Sequence, residues 1–385
     1  MNKPHTIDYE QDLADEILPI RSVDVFPISV PLKKPMKMAS SAIVSAENLV
    51  VRIEAENGVV GWGEATFAPA MTGDILAGMS SAVRDHLAPL LVGQNALNRA
   101  GLMNKVDRAL VHNSGAKCAV EIALTDLVGR NYQIPFYELL GGALRVSVEP
   151  MWLLGGSTTG ETVDEAVEQY ELGYKFQKIK VGVSSVDQEI ETTLAVRKAL
   201  GRDAKLCADA NTGWTQSQAL RYLQGTASAE LIYLEQPLAE RQIHGMIALN
   251  AAGLVPIGGD ECIGGSDDVL RYGLEKAISG VNLKIIKAGG AGPVMNAAKI
   301  CEALGLSITL AGKVSGTSIS AAAALALGSA VPNLDWGVSL THIYLADDVV
   351  KDPISMQNGK IDIRRTPGLG IEVDEQALRK YAVQL

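Results

Sequence analysis

The chain has 385 residues, of which 47% are hydrophobic and 20% charged, a composition typical of a soluble globular protein with room for two domains. Its formal net charge of −10 argues against a nucleic-acid partner, because binding to phosphates needs a basic face. No run approaches the ~18–20 apolar residues of a membrane helix, and the N-terminus lacks the apolar core of a signal peptide. We therefore expect a cytoplasmic protein without a membrane partner.

The cysteines lie far apart and form no CxxC pair, which suggests neither a zinc site nor a disulfide framework. Free thiols are typical of a reducing compartment, and this also favours the cytoplasm. The four cysteines are Cys118, Cys207, Cys262 and Cys301.

The first third of the chain predicts a small α+β capping domain, which we place at residues 19–143. Residues 1–18 before it have the composition of a flexible acidic arm. Residues 22–32 alternate as a strand, and residues 47–67 predict a hairpin with Asn57-Gly58 as the signal of a type I′ turn. The three helical patterns that follow cover residues 74–91, 97–110 and 116–131.

Two connecting segments of this domain, residues 34–42 and 65–73, are small, apolar and rich in methionine for exposed loops. One interpretation is ordinary loop packing, and the other is a pair of lids over a substrate. Their composition carries no code for the substrate that such lids would select.

From residue 144 onward the pattern changes to alternating strands and helices, which predicts a TIM-like α/β barrel over residues 144–346. The eight predicted strands are VSVEPMWLL, YKFQKIKV, AKLCADA, AELIYLEQ, LVPIGGD, GVNLKII, LSITLAG and LDWGVSL. The seven helical patterns cover residues 161–172, 186–200, 215–223, 241–251, 266–276, 294–304 and 318–327. The tail, residues 347–385, is expected to return to the capping domain rather than to supply an eighth barrel helix.

A charged residue ends an apolar run at five nearly evenly spaced positions along the barrel region, in the fragments KIKVG, ADAN, LEQP, GGDEC and NLKIIKAGG. Lys180, Asp209, Glu235, Asp260 and Lys284 follow one another by 29, 26, 25 and 24 residues. Such steps match one strand–helix unit in a barrel of ~250 residues, in which catalytic groups lie at the C-terminal ends of strands. We therefore expect the five side chains to converge.

Three carboxylates held in one small volume repel one another unless a cation joins them. Asp209, Glu235 and Asp260 offer only oxygen ligands, which suits Mg2+ or Mn2+. Singly, each of them could be a helix N-cap, but the same position in three successive units favours a metal site. A lysine on either side of a carboxylate-bound metal indicates proton transfer beside a Lewis acid.

Lys178 and Lys180 are two positions apart on a strand and therefore point to the same face. One interpretation is a solvated strand edge, but the apolar neighbours and the downstream carboxylates favour the barrel interior. There the proximity of like charges, burial and a metal ion would all favour the neutral amine.

The fragment NLKIIKAGG places Lys284 in the middle of a predicted strand, where a buried lysine needs a reason. Lys287, an odd number of positions further on, is expected to face the other way as a structural residue. Gly289-Gly290 could receive an anion at the N-terminus of the next helix.

Other polar and aromatic residues beside these positions are candidates for supporting the ligands or for contacting the substrate. We expect Asn211 and Glu261 around the metal ligands, and we interpret Trp152, at the end of the first strand, as a pocket wall. Lys313 and Ser315 follow the seventh strand and are expected to meet a carboxylate of the substrate.

The motifs KIK, DAN, EQP, GGDE and NLKIIKAGG, in that order and spacing, resemble the enolase superfamily, muconate-lactonizing (mandelate racemase/muconate cycloisomerase) subgroup. The likeness extends to VVGWGEATF, ELLGG, LDWGV and TPGLGIEVDE, and so covers nearly the whole chain past residue 20. It implies a (β/α)7β barrel with an α+β capping domain that is formed by the N-terminal part and the C-terminal tail.

By this resemblance Lys180 is one acid/base, Lys284 is the other on the opposite face, and Lys178 is an auxiliary lysine. The metal ligands that it implies are Asp209, Glu235 and Asp260. Muconate cycloisomerases usually carry an acidic residue after the seventh strand, whereas this chain has Lys313 and Ser315 there. The departure argues against muconate itself as the substrate.

The residues and the resemblance together predict a Mg2+-dependent isomerase of small carboxylates. One lysine would remove the α-proton, and the metal would stabilise the resulting enediolate. Proton return from the opposite lysine gives racemisation or epimerisation, and return from the same lysine gives cycloisomerisation or syn elimination. A lyase or dehydratase is the alternative among enzymes, and a non-catalytic binding barrel is the alternative of another class. The family likeness implies a homo-oligomer, from dimer to octamer.

Overall fold

The computed structural model describes residues 17–37, 42–313 and 316–385. It has an antiparallel three-stranded sheet with helices in its first part and an eight-stranded parallel barrel in its second part. The predicted α/β barrel with an α+β capping domain is therefore confirmed. Residues 1–16 of the predicted arm lie outside the described ranges.

The capping sheet consists of β1 (Ile20–Lys37), β2 (Ala42–Ala55) and β3 (Val60–Thr66), paired in that order. In the turn between β2 and β3 only Gly58 has a positive φ, of 85°. The predicted type I′ turn is therefore wrong, since that type needs positive φ at Asn57 as well. The Asn57 side chain instead accepts a hydrogen bond from the backbone N–H of Val59 at 3.1 Å, which stabilises a longer turn.

The segments interpreted as possible lids differ in form. Residues 34–37 and 42 belong to strands β1 and β2, which pair with each other at these ends. Residues 38–41 lie outside the described ranges. The second segment leaves β3 after Thr66 and is closed by a bridge between Ala68 and Asp74.

The helices of the capping domain pack on one face of its sheet. They are α1 (Leu76–Ser81), a π-helical turn (Ala82–Leu87), α2 (Ala88–Leu91), α3 (Arg99–Ala109) and α4 (Ser114–Tyr132). Helix α4 lies directly on β3, where Gly61 and Gly63 leave room for its backbone. A Cβ atom on Gly63 would lie 1.9 Å from the carbonyl oxygen of Ala119, so no other residue fits this contact.

Eight parallel strands form the barrel in sequence order, and a parallel bridge between Pro150 and Val338 closes it. After the short β4 (Ser147–Val148), the barrel strands are β5 (Met151–Leu154), β6 (Phe176–Lys180), β7 (Lys205–Asp209), β8 (Leu234–Glu235), β9 (Ile257–Gly259), β10 (Gly280–Leu283), β11 (Ser307–Ala311) and β12 (Val338–Ser339). The helices between them are α5 (Thr159–Glu171), α6 (Val186–Leu200), α7 (Gln216–Gly225), α8 (Ile243–Ala251), α9 (Ser266–Leu274), α10 (Ile285–Ala288), α11 (Ala291–Leu304) and α12 (Ser318–Ala330).

A layer of apolar and aromatic side chains forms the floor of the barrel. The buried cluster consists of Met151, Phe176, Cys207, Tyr233 and Trp336. Tyr233 and Trp336 stack with ring centroids 4.1 Å apart. Gly280 is needed beside them, because a Cβ atom there would lie 2.5 Å from the Trp336 ring. Lys178 follows Phe176 by two positions and therefore lies above this floor on the same inner face.

The chain after β12 returns to the capping domain, as the sequence predicts. Ala382, just after α13 (Glu375–Lys380), pairs with Ile28 of β1 in the capping sheet, whereas β13 (Ile361–Asp362) pairs with β4 at the start of the barrel region. No helix within the described ranges is both long and apolar enough to cross a membrane.

Asp126 of α4 joins three parts of the capping region. Its buried carboxylate accepts hydrogen bonds from the backbone N–H of Trp62 at 2.9 Å and of Leu369 at 2.7 Å. The guanidinium of Arg130 donates a third at 2.8 Å. This one side chain therefore ties the hairpin, helix α4 and the C-terminal tail together.

We expect Asp126→Ala to lower the free energy of unfolding by about 3–5 kcal/mol, because it leaves buried donors without an acceptor. Urea unfolding followed by circular dichroism measures the change. Asp107→Ala is the matched control, since the Asp107 side chain is 61% exposed and its 3.5 Å ion pair with Lys117 should contribute little. Equal losses in the two variants would contradict this account of the tail.

Candidate active site

The evenly spaced charged residues of the barrel region meet at the C-terminal ends of neighbouring barrel strands. Lys180, Asp209 and Glu235 are partners in register across β6, β7 and β8. Glu235 pairs with Gly258 of β9, so Asp260 follows two positions beyond that level. Since neighbouring parallel strands are ~4.8 Å apart, the carboxylates are brought into one volume.

Each of the three carboxylates is paired with at least one ammonium group. Lys178 Nζ lies 2.6 Å from Glu235 Oε2, with 3% and 1% of the two side chains exposed. Lys180 Nζ lies 2.6 Å from Asp209 Oδ2, and a third of the Lys180 side chain is exposed. Lys284 Nζ lies 2.6 Å from Asp260 Oδ2. The site therefore balances its buried negative charge with lysines.

This pairing determines the ionisation of the buried groups. Burial alone would lower the pKa of Lys178, but the carboxylates of Glu235 and Asp209 raise it overall. The pKa of Lys284 is likewise raised, because the influence of Asp260 and Glu235 exceeds that of burial. The sequence predicted neutral amines for these lysines. As long as the lysines are the only cations beside the carboxylates, the charged ammonium form is favoured instead.

Asp260 receives two lysines rather than one. Lys287 Nζ lies 2.6 Å from Asp260 Oδ1 and also donates to the Asp260 carbonyl. The prediction that Lys287 faces the other way is wrong because β10 ends at Leu283 and the chain turns into α10. Strand alternation no longer applies there, and Lys284 lies at the end of its strand rather than in the middle.

Asn211 and Glu261 extend the cluster on the side of Lys180. Lys180 Nζ donates to Asn211 Oδ1 at 2.8 Å, and Asn211 Nδ2 donates to Glu261 Oε1 at 3.0 Å. Burial, together with the nearby Asp260 and Asp209, raises the pKa of Glu261 to about 7. Both predicted residues thus lie around the carboxylates, and Asn211 holds Lys180 in place.

Both parts of the chain match known protein families. Residues 20–141 match the N-terminal domain of mandelate racemase / muconate lactonizing enzymes, and residues 161–377 match the enolase C-terminal domain-like family. The chain belongs to the mandelate racemase / muconate lactonizing enzyme family. The predicted resemblance to the enolase superfamily is therefore confirmed.

Relatives of the chain within this family are isomerases by name. Muconate cycloisomerase 1 of Pseudomonas putida is 33% identical over 359 residues, which cover 91% of this chain and 94% of the relative. L-Ala-D/L-Glu epimerase of Clostridium acetobutylicum is 33% identical over 362 residues, covering 92% and 98%. Muconate lactonizing enzyme from Pseudomonas fluorescens, solved with muconolactone, superimposes with a TM-score of 0.92 at 28% identity, covering 96% and 100%.

In this member of the family, Trp152 is not placed among the carboxylates. It pairs in register with Gln177, whose side chain donates outward to the Ala166 carbonyl of α5. The Trp152 indole donates to Glu165 Oε1 of the same helix at 2.9 Å. Trp152 therefore lines a cavity of about 1180 Å³ on the outer side of the barrel, whose lining includes neither the three carboxylates nor their lysines.

Lys313 lies at the mouth of the barrel, after β11. Leu283 pairs with Leu310, so continuing that register sets Lys284 beside Ala311, two positions before Lys313. Thr341 Oγ1 donates to the Lys313 carbonyl at 2.7 Å and fixes the backbone. Burial, and then the charge of Lys284, lower the pKa of Lys313 to about 8. Ser315, predicted beside it, lies outside the described residues.

Two residues beside the carboxylates were not predicted from the sequence. Asn282 Nδ2 donates to Glu235 Oε1 at 2.9 Å, and Gln236 Oε1 accepts from the backbone N–H of Asp260 at 2.8 Å. Asn282 precedes Lys284 by two positions, so strand alternation could have revealed it. Gln236 has a φ of 36°, and nothing in the sequence predicts that its side chain turns toward Asp260.

The oxygen atoms of Asp209, Glu235 and Asp260 are the donor set that could hold a metal ion in this site. Carboxylate oxygens without histidine or cysteine fit a hard divalent cation. In the arrangement of the described residues, however, no three acidic, histidine or cysteine side chains are grouped to ligate one ion. Each carboxylate is engaged by a lysine, so a cation would bind as the ammonium groups move away.

We expect Lys178→Met to lower the free energy of unfolding by about 3–5 kcal/mol, because it leaves Glu235 buried without its counter-charge. Lys180→Met should cost less, since Lys180 is partly solvated and Asp209 keeps its hydrogen bond from the Asn211 backbone at 3.0 Å. Urea unfolding in the presence of EDTA gives both values without interference from divalent ions. A Lys180→Met loss as large as that of Lys178→Met would contradict this ranking.

Proposed function

We propose that the protein is a divalent-metal-dependent isomerase that moves the α-proton of a small carboxylate substrate. The observation that carries this proposal is the order of the strands. The three carboxylates come from β7, β8 and the end of β9, and these strands lie between β6 with Lys180 and β10 with Lys284. A substrate bound over the carboxylates would thus have one lysine on each side.

Asp209, Glu235 and Asp260 would hold Mg2+, and Mn2+ would also suit them. When bound, this cation supplies a Lewis acid that stabilises the negative charge of a deprotonated carboxylate substrate. Asn282 orients Glu235 through its 2.9 Å hydrogen bond, and Gln236 fixes the backbone of Asp260. These neighbours keep the carboxylate oxygens aimed at one place.

The lysines move the proton. Lys180 Nζ would take the α-proton from one face of the substrate, and Lys284 Nζ would deliver a proton to the other face. A lysine acts as a base only when neutral, and burial favours that form once the carboxylates are neutralised by another cation. Proton return from the opposite side gives racemisation or epimerisation, whereas return from the same lysine gives cycloisomerisation.

Both outcomes have support among the relatives, which carry the names of cycloisomerases and of an epimerase. Elimination from the same intermediate is the alternative, and it would appear as loss of a leaving group. A non-catalytic binding barrel would need the lysines only as counter-charges, whereas their positions on both sides of the carboxylates also suit proton transfer.

We expect the wild-type protein with Mg2+ to exchange α-protons for deuterium in D2O over a panel of carboxylates that includes L-Ala-L-Glu and L-Ala-D-Glu. Lys180→Ala and Lys284→Ala should each lose exchange on one face by ~10²–10⁴-fold, because each removes one acid/base group. Proton NMR of the two epimers measures both faces.

Lys299→Ala is the control for that experiment, since Lys299 is exposed on the outer face of α11. Metal binding without exchange on any substrate of the panel would favour the non-catalytic barrel. Loss on the same face in both lysine variants would contradict the placement of the lysines on opposite sides.

We also propose that Lys313 binds a second anionic group of the substrate. It lies further out along the barrel than Lys284, beyond the group that the carboxylates would hold. Glu47 of β2, across from it in the capping domain, partly offsets its charge. Although Glu47 weakens the attraction, the ammonium group of Lys313 would still attract an anionic group of the substrate between the two domains.

Lys313→Met should raise KM about tenfold for L-Ala-L-Glu and leave KM for the matched amide L-Ala-L-Gln unchanged, because only the acid pairs with the ammonium group. Since the pKa of Lys313 is lowered to about 8, the ammonium form exists below that pH and is lost above it. KM for the acid substrate should therefore rise as the pH passes 8, and this rise should vanish in the variant. Steady-state kinetics across pH 6–10 measures these KM values. An equal change in KM for the acid and for the amide would contradict the assignment of Lys313.

We propose, finally, that the protein works as a homo-oligomer in the cytoplasm. Its four cysteines are buried free thiols, as expected in a reducing compartment. Leu270 and Leu274 of α9 are exposed and one helical turn apart, and an apolar surface of this kind is what a second copy would cover. Light scattering of the purified protein gives the assembly size.

A further inference from the structure

Helix α4 of the capping domain contacts the barrel at the beginning of helix α11. The buried carboxylate of Glu121, in the middle of α4, reaches across the domain boundary. Its Oε2 accepts a hydrogen bond from the backbone N–H of Ala291 at 2.8 Å, and its Oε1 accepts one from Gly292 at 3.2 Å. Glu121 therefore supplies the N-terminal cap of a helix that belongs to the other domain.

Helix α11 provides no capping side chain of its own. Its N-cap residue is Gly290, and its first turn contains no acidic residue. A Cβ atom on Gly290 would lie 2.8–3.0 Å from the side-chain carbons of Glu121, so only glycine allows this approach. The anion that Gly289-Gly290 was predicted to receive is thus the protein's own Glu121 carboxylate.

The turn that Glu121 fixes also carries Lys284. Between Lys284 and Ala291 there are only the single helical turn of α10 and the two glycines. The N–H groups of Lys287 and Ala288 both donate to the Lys284 carbonyl at 3.1 Å, and Gly290 N–H donates to the Ile285 carbonyl at 3.1 Å. The backbone from Lys284 to the start of α11 is therefore one hydrogen-bonded unit, held at its far end by Glu121.

We propose that Glu121 is a positioning residue for Lys284. Its hydrogen bonds to the first turn of α11 fix the backbone from Lys284 to Gly290, and this backbone places the Lys284 ammonium group beside Asp260. This inference rests on the proposed function, in which Lys284 serves one face of the substrate. It makes the docking of the capping domain a condition for proton transfer on that face. Among the residues that the structure describes, no such hydrogen-bonded unit connects Glu121 to Lys180 on the other side of the barrel.

A second carboxylate of the capping domain provides a matched control. Glu64 of β3 is buried and accepts hydrogen bonds from the N–H groups of Thr317 at 2.9 Å and Ser320 at 2.8 Å, at the start of α12. It therefore makes the same kind of contact between the domains as Glu121. The segment between β11 and α12 carries Lys313 but neither Lys180 nor Lys284, so a change there should affect exchange on both faces alike.

The test compares Glu121→Gln and Glu64→Gln in the full-length protein with Mg2+, using the two-face deuterium exchange assay. Each amide substitution loses one of the two backbone hydrogen bonds, because an NH2 group cannot accept. We expect Glu121→Gln to lower exchange on the Lys284 face at least tenfold relative to the Lys180 face. Glu64→Gln should leave the ratio of the two faces within threefold of the wild-type ratio.

A merely structural role of Glu121 would lower both faces together, and that result would overturn the proposal. Glu121→Asp covers the case in which Glu121→Gln fails to fold, since it keeps the charge but is too short to reach both N–H groups. It should give the same face-selective loss, and an unchanged ratio in the folded Asp variant would also overturn the proposal. If the wild-type protein exchanges no α-proton at all, the proposed function fails and the positioning role fails with it.

Discussion

The structure depends on the balance of charge at the open end of the barrel. Asp209, Glu235 and Asp260 are all almost fully buried, and carboxylates in a low-dielectric interior are strongly unfavourable without counter-charges. Lysines from the two flanking strands provide those charges at 2.6 Å. Below them lies an apolar floor that includes the Tyr233–Trp336 stack, so the charged layer is solvated from above only.

The capping domain is joined to this end of the barrel by carboxylates rather than by apolar packing alone. Glu64 and Glu121 bind the first turns of two successive barrel helices. In a parallel barrel these helix starts lie beside the C-terminal ends of the strands, where the reacting groups converge. The same partial positive charge that attracts anions to helix N-termini therefore holds the cover of the active site in place.

Much of this arrangement could be predicted from sequence, because a strand–helix unit has a nearly constant length. That regularity locates Lys180, Asp209, Glu235, Asp260 and Lys284 at equivalent positions of successive units. It fails where the backbone leaves the regular pattern. Lys287 reaches Asp260 because a helix begins after Lys284, and the turn before β3 is longer than Asn57-Gly58 predicts.

The direction of a side chain at a strand end was likewise beyond the sequence pattern. Trp152 is in register with Gln177, and residues in register on neighbouring strands point to the same side of the sheet. Because the Gln177 side chain is on the outer side, Trp152 also faces outward, toward α5. The partner of Glu121 could not be foreseen at all, since 170 residues separate the carboxylate from Ala291. Contacts of this length depend on how two domains meet, and no local propensity encodes that.

We propose that the three carboxylates share one divalent cation between two lysines. It is tested most directly by anomalous scattering from crystals grown with saturating Mn2+. We predict one strong peak ~2.0–2.3 Å from an oxygen of each of Asp209, Glu235 and Asp260, with the lysine ammonium groups moved off those oxygens. A peak elsewhere, or none at these carboxylates while the lysine pairs stay intact, would contradict the account.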